Sequence, residues 1–145
     1  MAILTFDFPA ELEKQMQALE RAGNDAVIKK MLETGGEEVK KEMQRQCQSH
    51  KQSGTMVSSI KTTRAKKNDR GYFVVTRPTG KEVRTMKNGN KHTVRNMEKL
   101  VYLHYGTKRK QPATGIVTKV VNRSEVPAVK AMQGVFDQEV LRNSG

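Results

Sequence analysis

The longest helical pattern in the chain is Asp25–Gln48, DAVIKKMLETGGEEVKKEMQRQCQ, and the rest of the fold is built around it. Its apolar residues recur at steps of four or seven: Ile28, Leu32, Val39, Met43 and Cys47. This period predicts one amphipathic helix, which Asn24 or Asp25 can cap. Gly35 and Gly36 interrupt the apolar side, and each glycine costs about 1 kcal/mol relative to alanine inside a helix. The glycine pair therefore predicts either a kink or a close approach by another backbone.

Helical spacing recurs on both sides of this segment. Phe8, Leu12, Met16 and Leu19 predict an amphipathic helix over Pro9–Arg21 that ends near Gly23, because proline is tolerated in a first turn. A C-terminal helix is expected from Ser124 onward, with an apolar stripe of Val129, Met132, Phe136 and Val140. Ile116–Val121 fits either a short helix or an extended stretch, and the alternating residues of Ile3–Phe8 fit a strand or an extended arm.

Strands are predicted in the middle of the chain. Met56–Arg64 and Gly71–Thr76 carry β-branched and aromatic residues around a turn-like polar stretch, which predicts a β-hairpin. Leu100–Tyr105 is the densest apolar run, and because it is short and ends at Gly106 it predicts a buried strand. Arg77–Asn96 has few apolar residues and contains Asn88-Gly89, so it fits an exposed ribbon or a loop, and we expect a loop.

These patterns predict an α+β fold in which the long amphipathic helix and the C-terminal helix pack on a small antiparallel sheet with extended basic loops. At 145 residues, the expected organisation is one domain over residues 1–145, with a flexible basic insertion at about 77–99. Only 35% of the residues are hydrophobic and none is tryptophan, so the core is expected to be lean. A lean core favours additional burial against partner subunits.

Positive charge is concentrated in one segment. Lys61–Lys110 holds fifteen Lys or Arg against three acidic residues, a net +12, whereas the other 95 residues hold twelve of each sign. Such a segment attracts polyanions or an acidic protein surface, unless it is simply a solvated loop. Arg84, Lys87 and Lys91 lie in its centre and are candidate contact residues.

The residue pattern for catalysis or metal binding is missing from the sequence. Cys47 and His50 have C-x-x-H spacing, but no second cysteine exists to complete a zinc site. No Walker A, G-x-S-x-G, G-x-G-x-x-G or H-E-x-x-H motif occurs. We therefore expect no metal, no cofactor and no enzymatic activity. His104 lies in the predicted strand Leu100–Tyr105, where it would point away from Leu103 and Tyr105, so we expect it to be exposed.

The N-terminus shows no signal-peptide pattern, and no apolar run approaches the roughly 20 residues that a bilayer requires. The single cysteine also gives no sign of an oxidising compartment. We therefore expect a chain that neither is secreted nor spans a membrane, and synthesis in a cytoplasm fits this.

Two short segments, SGTMVSSI (residues 53–60) and VYLHYGT (residues 101–107), are distinctive enough to compare with known family motifs. Their order and spacing resemble the "T/S-G-x-L-x-x-S-I" and "Y-x-x-x-x-G-T" signatures of the Hong Kong 97-type phage tail-component family. Met56 stands where the family usually has leucine, and the basic stretch Arg77–Asn96 is longer than the family core needs. The resemblance marks these motif residues as candidate interaction residues: Gly54, Ser58, Ser59, Tyr102, Tyr105, Gly106 and Thr107.

The motif residues also have an architectural explanation. Gly54 permits a sharp turn, Ser58 and Ser59 can satisfy backbone groups at the junction, and Gly106 permits a positive φ. None of these roles requires side-chain chemistry. Architecture alone is therefore an alternative to an interaction role for each of them.

The resemblance implies a structural virion protein of a long-tailed phage, located in the neck or tail and made in the cytoplasm of a bacterial host. It would act in head–tail joining or tail completion by forming a ring and binding a tail terminator, connector or tail tube, with at most weak DNA contact. The alternative from charge is a basic nucleic-acid-binding module, although no helix-turn-helix, RNP-like or zinc-finger pattern occurs. A ribonuclease or toxin-like enzyme would need a cluster that His50, His92 and His104 do not supply.

Overall fold

A computed structural model of the protein describes residues 8–50, 54–108 and 112–144. The described residues form five helices: α1 (Ala10–Arg21), α2 (Asp25–Gln48), α3 (Gly54–Ser58), α4 (Asn96–Tyr105) and α5 (Ile116–Ser144). They also form six short strands: β1 (Ile60–Thr62), β2 (Lys66–Asn68), β3 (Gly71–Phe73), β4 (Thr76–Pro78), β5 (Lys81–Thr85) and β6 (Lys91–Arg95). The predicted α+β class is confirmed. Most of the predicted N-terminal arm, residues 3–7, lies outside the described residues.

The two N-terminal helices are those that the apolar spacing predicts. Helix α1 begins after Pro9, which occupies the N-cap position, and ends at Arg21. Helix α2 has the predicted bounds and takes Asn24 as its N-cap residue. Periodicity identifies both helices because each buries a single stripe of apolar side chains.

The C-terminal helix is longer than predicted. Helix α5 is continuous from Ile116 to Ser144, so the predicted start at Ser124 is wrong. Ser124 instead lies buried inside the helix, where its hydroxyl donates to the Val120 carbonyl at 2.6 Å. Pro127 also lies within the helix and removes one backbone donor. Packing of α5 along α2, the most extensive helix pairing in the fold, outweighs this local cost.

The predicted first hairpin is present with corrected bounds. Strand β1 pairs antiparallel with β4, from Ile60 opposite Pro78 to Thr62 opposite Thr76. The chain between them forms the inner ladder of β2 and β3. The hairpin begins at Ile60. The predicted strand was expected to begin at Met56, but residues 56–58 belong to the short helix α3.

The basic stretch forms a second hairpin, so the expected loop over Arg77–Asn96 is wrong and the ribbon alternative is correct. Strands β5 and β6 pair antiparallel from Lys81 opposite Arg95 to Thr85 opposite Lys91. The turn lies at the predicted Asn88-Gly89, where Gly89 has a φ of +83° and the Asn90 amide donates to Asn88 Oδ1 at 3.0 Å. The three ladders are separate two-stranded units, where a single small sheet was predicted.

The predicted strand Leu100–Tyr105 is wrong, because these residues complete helix α4. Leu100 and Leu103, three residues apart, are buried, while Tyr102 and Tyr105 are exposed, as one apolar face of a helix requires. The apolar run alone fits either structure. The four residues before it, Asn96–Lys99, form the first turn of the same helix.

The core consists of two clusters that both include residues of α2 and α5. One contains Met43, Cys47, Leu100, Ile116 and Val120 among others. The second contains Leu12, Ile28, Met31, Leu32 and Met132 among others. Both clusters therefore depend on the pairing of the two long helices.

The glycine pair of α2 marks a close approach by neighbouring side chains. A Cβ at Gly36 would lie 2.5 Å from Cγ2 of Thr62 in β1. A Cβ at Gly35 would lie 2.9 Å from Cγ of Met132 in α5. The predicted close approach is correct, although the groups that approach are side chains rather than a backbone.

Candidate interaction surface

The first motif forms the junction between α3 and β1. The Ser58 hydroxyl donates to the Thr55 carbonyl at 3.1 Å, and the Ser59 hydroxyl donates to the Met56 carbonyl at 2.7 Å. Both serines thus satisfy backbone groups, as their predicted architectural role requires. Gly54 begins α3, is exposed, and has no positive φ, so the predicted sharp turn does not depend on it.

The second motif ends helix α4. Gly106 has a φ of +79°, and its amide donates to the Tyr102 carbonyl at 2.8 Å. The predicted positive φ is correct, but it terminates a helix rather than a strand. Tyr102 and Tyr105 are 48% and 57% exposed and lie three residues apart on the outer side of the helix. Thr107 follows and is exposed.

The two motifs lie on neighbouring elements. Met56 of α3 and Leu100 and Leu103 of α4 belong to the same core cluster. The packing of these buried side chains fixes α3 beside α4. The structure therefore brings the two motif segments to one region of the molecule, with the tyrosine face of α4 open to solvent.

His104 has a structural contact that the sequence did not indicate. Its Nδ1 accepts a hydrogen bond at 3.2 Å from the Val117 amide in the first turn of α5. Its ring also meets that of Tyr105 edge to face, with the centroids 4.5 Å apart. The predicted exposure of His104 is wrong because α4 is a helix, which turns this side chain towards α5.

The ribbon of β5 and β6, with its turn, carries five of the fifteen basic residues of the segment Lys61–Lys110. Alternate residues point to opposite faces of a two-stranded ladder. We define the outer face of the ribbon by its side chains that are all exposed and lie opposite one another in register: Lys81, Val83, Thr85, Lys91, Thr93 and Arg95. The inner face contains Glu82 and Val94, which are both partly buried.

The three basic residues predicted as contacts do not share a face. Lys91 belongs to the outer face, whereas Arg84 lies opposite His92 on the inner face and pairs with Glu82 at 3.5 Å. Lys87 lies in the exposed turn between the strands. Sequence reasoning therefore grouped residues that the strand register separates.

The root of the ribbon is fixed to α4. The Glu82 carboxylate accepts a hydrogen bond from the Lys99 ammonium group, with which it forms an ion pair. This hydrogen bond is the main reason that the pKa of Glu82 lies below its usual value, and Lys99 and Arg84 add further attraction. Asn96 is buried. Its backbone N–H donates to the Gly80 carbonyl at 3.0 Å, and its side-chain Nδ2 donates to the Thr79 carbonyl at 2.8 Å. The inner face thus anchors the ribbon to α4, whereas the side chains of the outer face remain exposed to solvent.

Like charges face one another on these strands. Lys81 lies directly opposite Arg95 on the outer face, and Lys61 lies directly opposite Arg77 in the β1–β4 ladder. All four side chains are exposed. Sequence reasoning missed these pairs because only the strand register reveals them. Their one sequence signal was the high net charge of the segment.

The structure also shows how far the potential metal ligands lie from forming a cluster. Residues 8–50, 54–108 and 112–144 contain no group of three or more His, Cys, Asp or Glu side chains placed to hold a metal ion. Cys47 is buried, and desolvation raises the pKa of its thiol to about 11, which disfavours the thiolate that a metal needs. Across the same described ranges, no helix has the length and apolar character to cross a membrane.

Comparison with protein-family models matches residues 10–105 to the family described as "Bacteriophage HK97-gp10, putative tail-component". The match runs from the start of α1 to the end of α4 and includes both motif segments and the basic ribbon. Comparisons with curated proteins and with solved structures find no match. The family match covers well over half of the chain, and the chain therefore belongs to the HK97-gp10-like family of bacteriophage tail components.

Proposed function

We propose that the protein is a structural subunit of the neck or tail of a long-tailed phage and acts in head–tail joining or tail completion. The family match over residues 10–105 carries this proposal, because that family is one of phage tail components. In this proposal residues 1–145 act as one unit, and residues 77–99, which lie within the matched range, contact a partner. The mechanism is binding alone, in the assembled virion.

A ring subunit needs two different contact surfaces, since each copy meets the opposite side of the next. The described surface offers two separate candidates for such contacts. The tyrosine face of α4 presents two large exposed aromatic side chains, a residue type enriched in protein interfaces. Val140 and Leu141, 46% and 72% exposed, lie near the end of α5. These surfaces support self-association and contact with a tail terminator, connector or tail tube.

The test is removal of the gene from a phage or prophage that carries it. We expect DNA-filled heads and separate tails in electron micrographs of the lysate, and restoration of joined particles by a plasmid copy. Joined, infectious particles without the gene would contradict the proposal.

Substitutions then test the tyrosine face. Tyr102→Ala with Tyr105→Ala in the plasmid copy should abolish restoration. Val126→Ser is the matched control, since Val126 is 74% exposed but lies on α5. Equal restoration by both variants would remove the tyrosine face from the proposal.

One observation favours a nucleic-acid-binding module as the alternative. The major groove of DNA admits a two-stranded ribbon, and the outer face of this ribbon carries Lys, Arg and Thr side chains. For a tail subunit we expect only weak, sequence-independent binding, with a Kd on the order of 10⁻⁴ to 10⁻⁶ M at physiological salt. Submicromolar DNA affinity with no effect on head–tail joining would establish the alternative instead.

A further inference from the structure

We propose that the outer face of the ribbon docks on an acidic surface of a different virion protein. The proposal rests on the proposed function only in taking that protein from the neck or tail. The surface consists of Lys81, Val83, Thr85, Lys91, Thr93 and Arg95, together with Met86 where the ribbon turns.

The ribbon is built to present this face. A two-stranded hairpin is marginally stable alone in water. Here the inner face is held through Glu82, Lys99 and Asn96, while every side chain of the outer face is exposed. The fold thus stabilises the ribbon from one side and leaves the other side available.

The charges of the outer face oppose its own stability. Lys81 and Arg95 are direct cross-strand neighbours, and like charges in this position are destabilising. Within the described ranges, neither side chain has an acidic partner at ion-pair distance. At the other end of the face, Lys91 lies opposite Thr85 and adds a third positive charge. An anionic partner would convert this repulsion into attraction.

The exposed apolar side chains favour a protein over a nucleic acid. Val83 lies in the middle of the outer face and is 55% exposed, and Met86 is 53% exposed. An apolar centre surrounded by charged residues is typical of protein–protein interfaces. A phosphate backbone would contact the basic side chains but would gain nothing from burying Val83.

The charge distribution favours a different protein over a second copy. Each copy carries a net charge of +12, and the residues outside Lys61–Lys110 balance to zero. Three of the five acidic side chains of α2 are paired within their own helix: Glu37 with Lys40, Glu38 with Lys41, and Glu42 with Arg45. The other two accept hydrogen bonds from elsewhere in the fold, Asp25 from the Tyr72 hydroxyl and Glu33 from the Ala65 amide. A second copy therefore brings no excess of negative charge to the ribbon.

The experiment measures binding of the full-length chain to each neck and tail protein encoded beside its gene, and to a duplex DNA as a separate probe. In Lys81→Glu, a carboxylate faces Arg95, so the ribbon should become more resistant to proteolysis while affinity for the acidic protein falls roughly tenfold or more. A purely structural role cannot produce these opposite changes. Lys66→Glu is the matched control, because Lys66 is an exposed strand residue of the other hairpin and the charge change is identical.

A second variant tests the apolar contact. Val83→Thr keeps the β-branched shape and the net charge, and it should weaken the protein complex severalfold while leaving DNA binding unchanged. Equal losses in Lys81→Glu and Lys66→Glu would reduce the effect to general charge attraction and overturn the proposal. Loss of DNA binding alone would assign the face to nucleic acid, and loss of self-association alone would assign it to a second copy.

The gene-removal test separates this proposal from the proposed function. If gene removal prevents head–tail joining but Lys81→Glu restores it fully, the docking surface is wrong and the tail function stands. If particles join without the gene, the tail function is wrong, whereas the binding measurements still decide what the ribbon binds.

Discussion

The hydroxyl of Thr62 donates a hydrogen bond to the carbonyl oxygen of Gly36 at 3.0 Å, so strand β1 crosses helix α2 where that helix has no side chain. The same hydroxyl lies 2.8 Å from Oγ1 of Thr76 in β4. Thr62 therefore cannot rotate away without losing both contacts. This relationship joins the first hairpin to the long helix.

Gly36→Ala should destabilise the protein. The new Cβ would lie 2.5 Å from Thr62 Cγ2, and displacing a hydrogen-bonded, β-branched side chain costs about 1–3 kcal/mol in free energy of unfolding. Gly134→Ala is the control, because that glycine is also helical and nothing lies within 4 Å of its added Cβ. The control should gain about 0.5–1 kcal/mol. Urea denaturation measures both, and equal gains would contradict the close approach.

His104→Ala should lower the free energy of unfolding by about 1 kcal/mol, the usual cost of losing a side-chain acceptor at a helix start. The lost group is the Nδ1 that accepts the Val117 amide. His92→Ala removes an exposed histidine from the ribbon and should leave stability unchanged. If both variants unfold at the same denaturant concentration as the parent, His104 does not cap α5.

Tyr72 should titrate at unusually high pH. Its hydroxyl donates to Asp25 at the start of α2, and this hydrogen bond, with smaller effects of burial and nearby carboxylates, raises the pKa of the phenol to about 12. Because the folded state favours the protonated phenol, its contribution to stability is fully present at pH values below the pKa of an unfolded tyrosine, about 10. The contribution is lost as the pH rises through about 12. Absorbance near 295 nm should show this transition, and Tyr72→Phe should remove it. Its persistence in that variant would contradict the assignment.

Limited trypsin digestion should cut first after Lys87. That residue lies in the exposed turn of the ribbon, whereas Lys81 and Lys91 lie in paired strands. Proteases favour exposed turns over hydrogen-bonded strands. Mass spectrometry of the early fragments identifies the site. Equally rapid cleavage at all three lysines would show that residues 77–99 are flexible throughout, as the sequence alone suggested.

Acid should loosen the root of the ribbon. The hydrogen bond from Lys99 lowers the pKa of Glu82, so the folded state favours the carboxylate. This contribution is present above the pKa of an unfolded glutamate, about 4.3, and is lost as pH falls through the lowered value. NMR titration of the Glu82 carboxyl should show the lowered pKa, and Lys99→Met should return it towards the usual value. An unchanged Glu82 titration in Lys99→Met would show that Lys99 does not hold the ribbon to α4.

The sequence predicted elements that bury one regular face. Helices α1 and α2 were predicted within one residue because their apolar residues repeat along a whole helix. The turn at Asn88-Gly89 was also predicted, since that dipeptide suits a positive φ. Leu100–Tyr105 was assigned wrongly because a largely apolar run of six residues is too short to distinguish a buried strand from a helix.

The candidate surface was less predictable than the fold. The net charge identified the right segment, but the strand register decides which residues share a face, and it separates Arg84 from Lys91. Lys81 and Arg95 are fourteen positions apart in the sequence and become neighbours only through pairing. The capping contact of His104 depends on the packing of α4 against α5, which no local pattern contains.

The division of the core into two clusters has a consequence for how the molecule opens. The Ile28 end of α2 belongs to one cluster and the Cys47 end to the other, with the glycine pair between them. Each cluster is small, and α1 packs in only one of them. The two ends should therefore form separate cooperative units, so that amide hydrogens beside Leu12 and Ile28 exchange with solvent at a rate different from those beside Met43 and Cys47. In the proposed assembly, one end would then rearrange against a neighbour while the other keeps its native packing.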